Sequence, residues 1–459
     1  MGDAPAPSGE SAALTGRLAD FAASFRLRDA PARAVRNAKS AILDCLGVAV
    51  LASTHEIGDA ALRFARSDAA AGPCTVWGTA TTASARDAAL LNGMLAHGLD
   101  FDDRNHSSTY SLAAPFGPAE QRGASGADLL ESFIVGREVR NSLDPLFAHR
   151  DSGLGPGARG WHANGVLGAI ASACAAGKIL GLDRRRLQTA IGLAAGSCGA
   201  LTRDGGTMAK PYRCGHAAAS GLTAALLADS GLSSDDTAIE GRYGLLDALG
   251  PLPDSNMGSL AIGLGTTFNL AADLRGKRYA SCSASQGGLE AMLRLVHATA
   301  IDPAAVAAIE IDCKPYPLVR QNPTRGYEGR FSLPFCLAVA LIERDLRPAD
   351  FNDGMLAAPL VQKLIAATRH VPGSKVLVVT LADGRRLEEP VGRPANLTEG
   401  PQFAAKFRAC TTAILGEQQT EIIIETVAAL DRLPSLKPLS AALTPPAAQA
   451  ARRTAATVA

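Results

Sequence analysis

The sequence predicts a mainly α-helical protein that consists of a large all-helical domain and a smaller α+β domain. Three observations support this prediction. Over residues 11–265, apolar residues recur at three- and four-residue spacings, which is the period of a helix with a buried face. Within residues 266–400, short segments alternate apolar and polar residues, as strands do. The helical spacing then returns over residues 401–435.

The first domain is predicted to contain a series of long helices. Segments with the helical spacing cover residues 14–25, 32–52, 85–99, 126–143, 166–180, 187–201 and 217–230. Several of them are rich in Ala and Gly, and some are apolar on nearly every side. Helices of that kind belong in the interior of a helical bundle, where their backbones can approach each other closely.

The second domain combines strands with helices. Residues 305–312 and 376–382 alternate like strands, and the following Asp383-Gly384 has the chemistry of a hairpin turn. Residues 331–344 and 356–367 have the helical spacing. The pattern is helical again from residue 401, so we expect the last segment to return to the large domain. Residues 1–10 and 440–459 are rich in Ala, Pro and Ser and are expected to be disordered tails.

The bulk composition excludes several classes of partner. With 45 basic and 44 acidic residues, the net charge is +1, so no overall field attracts nucleic acid or a membrane surface. The nine cysteines contain no C-x-x-C pair and are expected to be reduced thiols. The N-terminus has no signal-peptide pattern, and the apolar run at residues 41–53 contains Asp44, as a core helix does. We therefore expect a cytoplasmic protein.

The first candidate functional residue is Lys210. It lies in a Gly/Ala-rich, apolar stretch that extends from Gly205 to Ala218. A lysine that precedes a proline is usually solvated, but the apolar surroundings here indicate partial burial. Because a buried ammonium group is costly without an anion, Lys210 is a candidate for binding a carboxylate.

Two further candidates are basic side chains. His162 stands at the start of a predicted helix, where the helix dipole favours a neutral imidazole suited to acid–base chemistry, although a structural histidine is equally compatible. Lys277 lies near the change between the two domains, and a lysine on each domain could close over a dianionic substrate. The nearby glycine pattern at residues 155–160 follows no predicted strand, so it does not indicate a nucleotide site.

An acidic cluster around Asp100 allows three interpretations. If the segment were helical, Asp100, Asp103 and Arg104 would share one face, whereas Asp102 and His106 would share another. This split disfavours a metal site, and no metal is predicted. The alternatives are a helix end with solvated acids and the edge of an active site, where a carboxylate orients a basic partner.

Taken together, ordered strings along residues 15–430 resemble the MmgE/PrpD family, which includes dehydratases, decarboxylases and epimerases of small carboxylic acids. The strings are Ala41-Ile-Leu-Asp-Cys-Leu-Gly, Asn92-Gly, His97-Gly-Leu-Asp-Phe-Asp-Asp, Gly160-Trp-His, Lys178-Ile-Leu-Gly-Leu, Gly206-Thr-Met-Ala-Lys-Pro, Gly215-His-Ala-Ala, Glu240-Gly-Arg-Tyr-Gly-Leu-Leu and Gly392-Arg-Pro-Ala-Asn-Leu-Thr. The resemblance implies a large helical domain with a smaller α+β lid domain and an active site in the cleft between them. It also implies a homodimer that needs no metal or organic cofactor.

Four of the family's site residues are present in this sequence, and several others are replaced. Asp100, His162, Lys210 and Lys277 match the family's motifs. The family often has a histidine at the position of Tyr110. By the same register, a family threonine becomes Arg104, two lid histidines become Cys282 and Gln286, and a tyrosine becomes Phe335.

The resemblance implies a lyase, most simply a dehydratase, that acts on a small di- or tricarboxylic acid by moving a proton beside a carboxylate. The implied catalytic residues are His162, Lys210, Asp100, Tyr110 and Lys277. The expected substrate-binding residues are Arg104, His106, Thr207, Tyr212, Arg278 and Cys282. An epimerase or racemase, a decarboxylase of the same family, and a carboxylate-binding protein without activity remain alternatives.

Overall fold

The computed structural model describes residues 14–148, 155–252, 259–312 and 322–446. It confirms a mainly helical protein with a small sheet. The helices before the sheet are α1 Leu14–Ser24, α2 Ala32–Ala52, α3 Glu56–Ser67, α4 Ala85–His97, α5 Ser107–Arg122, α6 Gly126–Ser142, α7 Gly155–Ala158, α8 Ala163–Leu180, α9 Arg184–Ser197, α10 Ala209–Asp229, α11 Leu245–Leu249, α12 Asn269–Ala272 and α13 Ser283–Ala298.

The remaining helices lie between and after the strands of the small domain. They are α14 Leu333–Glu343, α15 Asp353–Ala357, α16 Pro359–Ala367, α17 Gly400–Leu415, α18 Glu417–Ala428 and α19 Lys437–Ala442. The strands are β1 Cys74–Thr75, β2 Thr82–Ala83, β3 Val306–Ile311, β4 Thr368–His370, β5 Val376–Leu381 and β6 Arg386–Pro390. The first two strands form a short ribbon within the helical part.

The centre of the helical part is built from α4, α5, α8 and α10, which pack against one another. Small residues permit the close approach. A Cβ atom on Gly93 would lie 2.8 Å from the Cα of Gly215, and one on Gly221 would lie 2.5 Å from the carbonyl oxygen of Ala169. By length and composition α8 is apolar enough to cross a membrane, but 83% of it is buried inside this fold, so here it serves as a core helix.

Among the helices of ten or more residues, the sequence pattern missed α3, α5 and α13. Helix α5 contains Pro115 and Pro118, residues that usually interrupt a helix. It is nevertheless buried along most of its length among α4, α6 and α8, so tertiary packing outweighs the local preference. Helix α10 begins at Ala209 and not at residue 217, which places Lys210 in its first turn.

The sheet of the small domain has the order β4-β3-β5-β6. Strand β3 runs parallel to β4 and antiparallel to β5, and β5 pairs with β6 through the expected hairpin. The predicted strands β3 and β5 are confirmed, with Ile309 and Val379 buried. The pattern missed β6 because its alternating residues are mostly polar and exposed.

Segments near residue 276 and after residue 400 connect the two parts. Gly276 forms isolated antiparallel bridges with Asp103 and with Leu397. Helix α17 packs against α2, and α19 buries Leu439 against the helical part. The bounds 11–265, 266–400 and 401–435 stay predictions. The expected tail at residues 1–10 and the part of the expected tail 440–459 beyond residue 446 lie outside the described residues. The expectation of disorder is wrong for residues 440–446, because α19 extends to Ala442 and Leu443 is buried.

Candidate active site

The loop between α4 and α5 carries the acidic cluster into the protein interior. Asp100 and His106 have positive φ angles of 50° and 60°, so the chain turns sharply at both positions. As a result, the side chains of Asp100, Asp102 and Asp103 are all buried. The segment is therefore not helical, and the interpretation as solvated acids at a helix end is wrong.

Two lysines converge on the Asp100 carboxylate. The Nζ of Lys210, at the start of α10, lies 2.5 Å from Asp100 Oδ1, and the Nζ of Lys277 lies 3.0 Å from the same oxygen. Lys277 also donates to the Asp100 carbonyl oxygen over 2.7 Å. All three side chains are buried. The structure thus joins three residues that the sequence places far apart, and their net charge is +1.

Burial and mutual attraction act in opposite directions on these groups. Burial alone raises the pKa of Asp100, but the ammonium groups of Lys210 and Lys277 hold that pKa well below its usual range. Burial lowers the pKa of Lys210, and the Asp100 carboxylate outweighs it, so the pKa of Lys210 lies above its ordinary value. Asp100 and Lys210 are therefore charged at neutral pH.

Asp102 holds two histidines beside this cluster. The Nδ1 of His97 lies 2.9 Å from Asp102 Oδ1, and the Nδ1 of His106 lies 2.9 Å from Asp102 Oδ2. Because an ionised carboxylate only accepts hydrogen bonds, each histidine donates from Nδ1. The Nε2 of His106 lies 3.6 Å from Asp100 Oδ1.

His106 is a neutral base in this environment. Burial lowers the pKa of its imidazole, Asp102 opposes that change, and the positive charges of Lys210 and Lys277 lower the pKa further, to about 4. At neutral pH its Nε2 is therefore free of a proton and lies beside the Asp100 carboxylate that both lysines contact. The sequence showed His106 as a substrate-binding candidate and allowed a carboxylate that orients a basic partner, but it did not identify Asp102 as that carboxylate.

The small domain covers the cluster with a short segment that the sequence pattern left unassigned. In the 3-10 helix Gly326–Phe331, the ring of Phe331 lies 5.0 Å from Lys210 Nζ, and the hydroxyl of Tyr327 donates to the Gly98 carbonyl oxygen over 3.0 Å. Both side chains are buried together with Cys282 in one small apolar cluster. Cys282, a predicted substrate-binding residue, packs with Tyr327 and Phe331, and its role in binding stays a prediction. Tyr327 and Phe331 were missed.

Several other predicted site residues lie at the edges of this arrangement. His162 caps the start of α8, where its Nδ1 accepts from the Asn164 backbone over 3.3 Å. Thr207 caps the start of α10 by accepting from the Ala209 backbone over 3.2 Å. Tyr212 is 47% exposed and its ring stacks on that of His216. Arg278 is exposed to solvent.

Tyr110 lies in the helical core. A Cβ atom added to Gly168 on α8 would lie 3.2 Å from its ring, and its closest charged influence is Arg140 on α6. Burial raises the pKa of the Tyr110 hydroxyl, and Arg140 only partly opposes this change. The structure therefore does not bring Tyr110 to the lysine pair. Phe335 is likewise buried, against Phe351 in the small domain.

The described residues contain one group with the geometry of a metal site. Ligand atoms of His97, Asp100, Asp102 and His106 lie within 4.8 Å of one another. Their existing partners fit a cation poorly. Asp100 already contacts two ammonium groups, and each oxygen of Asp102 accepts from an imidazole. A metal ion would have to enter beside two positive charges, so the donor set suits proton transfer better.

Comparisons with known proteins cover nearly the whole chain. Residues 16–257 match the MmgE/PrpD N-terminal domain, and residues 279–432 match the MmgE/PrpD C-terminal domain. The chain is 26% identical to cis-aconitate decarboxylase of Aspergillus terreus over 95% of this chain and 96% of that protein. It is also 26% identical to cis-aconitate decarboxylase of Homo sapiens over 90% of this chain and 91% of that protein.

Proposed function

Because this chain belongs to the MmgE/PrpD family, we propose that it is a cofactor-independent lyase that acts on a small di- or tricarboxylic acid. The observation that carries the proposal is the convergence of Lys210 and Lys277 on Asp100, with the neutral His106 beside them. The homodimer, the cytoplasmic localisation and the absence of nucleic-acid and membrane partners stay predictions.

The lysine pair supplies the electrostatic part of the reaction. A carbon next to a carboxylate becomes negatively charged, as a carbanion or enediolate, when it loses a proton or CO2. Two buried ammonium groups stabilise that charge more strongly than water does, since they are fixed before the reaction starts. Asp100 holds both lysines in place through its carboxylate. The net charge of +1 on the three groups still attracts a substrate carboxylate.

His106 is the group that transfers the proton. Its Nε2 lone pair accepts a proton from carbon or returns one, while Asp102 fixes the ring through Nδ1 and stabilises the imidazolium that forms. Tyr327 and Phe331 of the small domain exclude water from this side of the cluster. The small domain therefore acts as a lid in this mechanism.

Decarboxylation is the first candidate reaction. It is supported by similarity to cis-aconitate decarboxylases over nearly the full length of both chains. The bond between carbon and the leaving carboxylate breaks, CO2 departs, and the electron pair stays on the carbon framework beside the lysines. The reaction also consumes one proton, which His106 takes up from solvent at Nε2 and passes to that carbon.

Dehydration is the second candidate, because a neutral His106 is suited to remove the C–H proton before a hydroxyl group leaves. Epimerisation finds less support. It requires two proton-exchanging groups on opposite faces of one carbon, and Tyr110, a group that the sequence offered for this role, lies in the helical core.

Proton NMR of the purified protein in deuterated buffer tests the proposal. We expect cis-aconitate, citrate or 2-methylcitrate to lose CO2 or water. A decarboxylation product is also expected to carry solvent deuterium at the carbon that is protonated. Loss of CO2 identifies a decarboxylase, and loss of water identifies a dehydratase. Exchange at one carbon without a new product would contradict the lyase proposal and indicate an epimerase.

Substitution of Tyr110 by phenylalanine is expected to change kcat/KM by less than about twofold, because only groups near the reacting atoms contribute to transition-state binding. The hydroxyl that it removes lies in the helical core near Arg140. Steady-state kinetics of Y110F measure the effect, with a thermal melt to show that the fold is intact. A loss of about 100-fold in a folded Y110F, typical of a general acid–base group, would place Tyr110 in the mechanism.

A further inference from the structure

A cavity separate from the candidate active site lies beside the loop that carries Asp100. It has a volume of about 250 Å³ and is lined by Asp103, Arg104, Asn105, Arg137, Asp273 and Arg275. Its walls come from the loop between α4 and α5, from α6, and from the segment that leads to Lys277. None of the lysines of the candidate active site lines it.

The cavity contains one more arginine than aspartate. Arg137 is buried and lies 2.6 Å from Asp103 Oδ2, and Arg275 forms an ion pair with Asp273. Arg104 is exposed and has no ion pair within the described part of the chain. The Nε of Arg137 is also buried without a hydrogen-bond partner among the described residues. Three arginines and two aspartates give the cavity a net charge of +1.

We propose that this cavity binds a small oxyanion, such as inorganic phosphate or a small carboxylate, between Arg104 and Arg275. A guanidinium group presents parallel N–H donors that match two oxygens of a phosphate or carboxylate. The sequence offered Arg104 as a ligand of the substrate. The cavity gives Arg104 a separate ligand of the same chemical class.

Backbone hydrogen bonds connect the walls of this cavity to the segments that carry Asp100 and Lys277. The backbone N–H of Arg104 donates to the carbonyl oxygen of Arg275 over 2.9 Å, and Asp103 forms a bridge with Gly276. Lys277 is the next residue after that bridge, and Asp100 lies at the other end of the loop. An oxyanion between Arg104 and Arg275 would hold these two segments together. It would thereby favour the contact of Lys277 with Asp100.

This coupling predicts that the anion promotes substrate binding without competing for the same site. Linkage requires that substrate also tightens the anion by the same factor. The binding measurement itself does not depend on which reaction the enzyme catalyses. A failure of the proposed function would therefore leave this proposal open to its own test.

Isothermal titration calorimetry of the full chain with inorganic phosphate, at ionic strength held constant with chloride, tests the proposal. We expect saturable binding that R104Q and R275Q each weaken by about tenfold or more, as for loss of a charge-assisted hydrogen bond. R63Q removes an equal charge from the exposed face of α3 and is expected to bind like wild type. A parallel titration with malonate shows whether phosphate or a carboxylate is preferred.

Three outcomes would overturn the proposal. One is the absence of saturable binding of both phosphate and malonate to wild type. Another is unchanged binding in R104Q. The third is loss of binding in K210M together with displacement of phosphate by substrate, because the anion would then occupy the active site.

Discussion

Replacement of Lys210 by methionine is expected to lower kcat/KM by about 1,000-fold or more, as for loss of a fixed group that stabilises developing charge. The Nζ of Lys210 lies 2.5 Å from Asp100 Oδ1 in a buried site, so water does not replace it readily. Methionine keeps the length and apolar character of the side chain but removes the charge. Steady-state turnover of whichever acid the NMR screen identifies measures the effect.

The fold of K210M needs its own measurement. Removal of one partner from a buried ion pair typically costs about 3–5 kcal/mol. Here Lys277 remains on Asp100, at 3.0 Å, so we expect a lower melting temperature but a folded protein by circular dichroism. K178M is the matched control, since Lys178 is a partly buried lysine on α8 that pairs with Glu131. Wild-type turnover in a folded K210M would remove this lysine from the mechanism.

Replacement of His106 by glutamine is expected to lower kcat/KM by about 100- to 10,000-fold, the usual range for a general acid–base group. Glutamine can still contact Asp102 but cannot take up a proton. H297Q serves as the control, because His297 is an exposed histidine on α13. Activity close to wild type in H106Q would show that a group other than His106 transfers the proton.

The pH profile separates a proton-transfer role for His106 from a structural one. Its pKa in the free enzyme is lowered to about 4, mainly by burial and further by the nearby lysines, so the imidazole is neutral above that pH. If His106 removes a proton from carbon, as in dehydration, the wild-type kcat/KM is therefore expected to stay level from neutral pH down to about pH 5 and to fall as pH drops through 4. If His106 instead delivers a proton to carbon, as in decarboxylation, kcat/KM is expected to rise as pH falls toward 4.

The variant H106Q is expected to lose this acid limb and to keep only the changes that come from ionisation of the substrate. An acid limb near pH 6.5, the ordinary range of a solvated histidine, would contradict the assigned environment. Persistence of the wild-type limb in H106Q would assign it to a different group. Both profiles are measured from the same substrate and within the range where melts show a folded protein.

Because the pKa of His106 is lowered on folding, its contribution to stability is lost as pH falls. A salt-bridged histidine, whose pKa is raised, loses its contribution as pH rises. Between pH 6.5 and 4, the unfolded chain binds a proton at residue 106 that the folded chain does not bind. The stability that comes from a neutral His106 is thus present above pH 6.5 and is lost as pH falls toward 4. Asp100, whose pKa is lowered, loses its contribution only at still lower pH.

The sequence predicted the architecture because that information is local. Helical spacing and alternation follow from which faces are buried, and they located most long helices and the strands β3 and β5. The ordered motifs also pointed to Asp100, Lys210 and Lys277, which the structure brings together. The burial of Lys210, inferred from its apolar neighbours, is confirmed.

Tertiary structure decided which side chains meet. Asp102 gained its two histidines because positive φ angles at Asp100 and His106 turn the loop inward, and periodicity contains no information about such turns. Tyr110 stands where the family often has a histidine, but its helix packs so that the hydroxyl faces α6 and not the lysines. The direction in which a side chain points depends on packing between segments that are distant in sequence.

The sequence by itself therefore determined the fold class, the family and the charged residues available for chemistry. Only the tertiary structure decided that the pKa of His106 is lowered, that Tyr327 and Phe331 cover the cluster, and that Arg104 faces a separate cavity. The physical reason is that residue type and spacing fix what a side chain can do. The pKa, the partner and the accessibility of that side chain depend on neighbours that the chain brings together only when it folds.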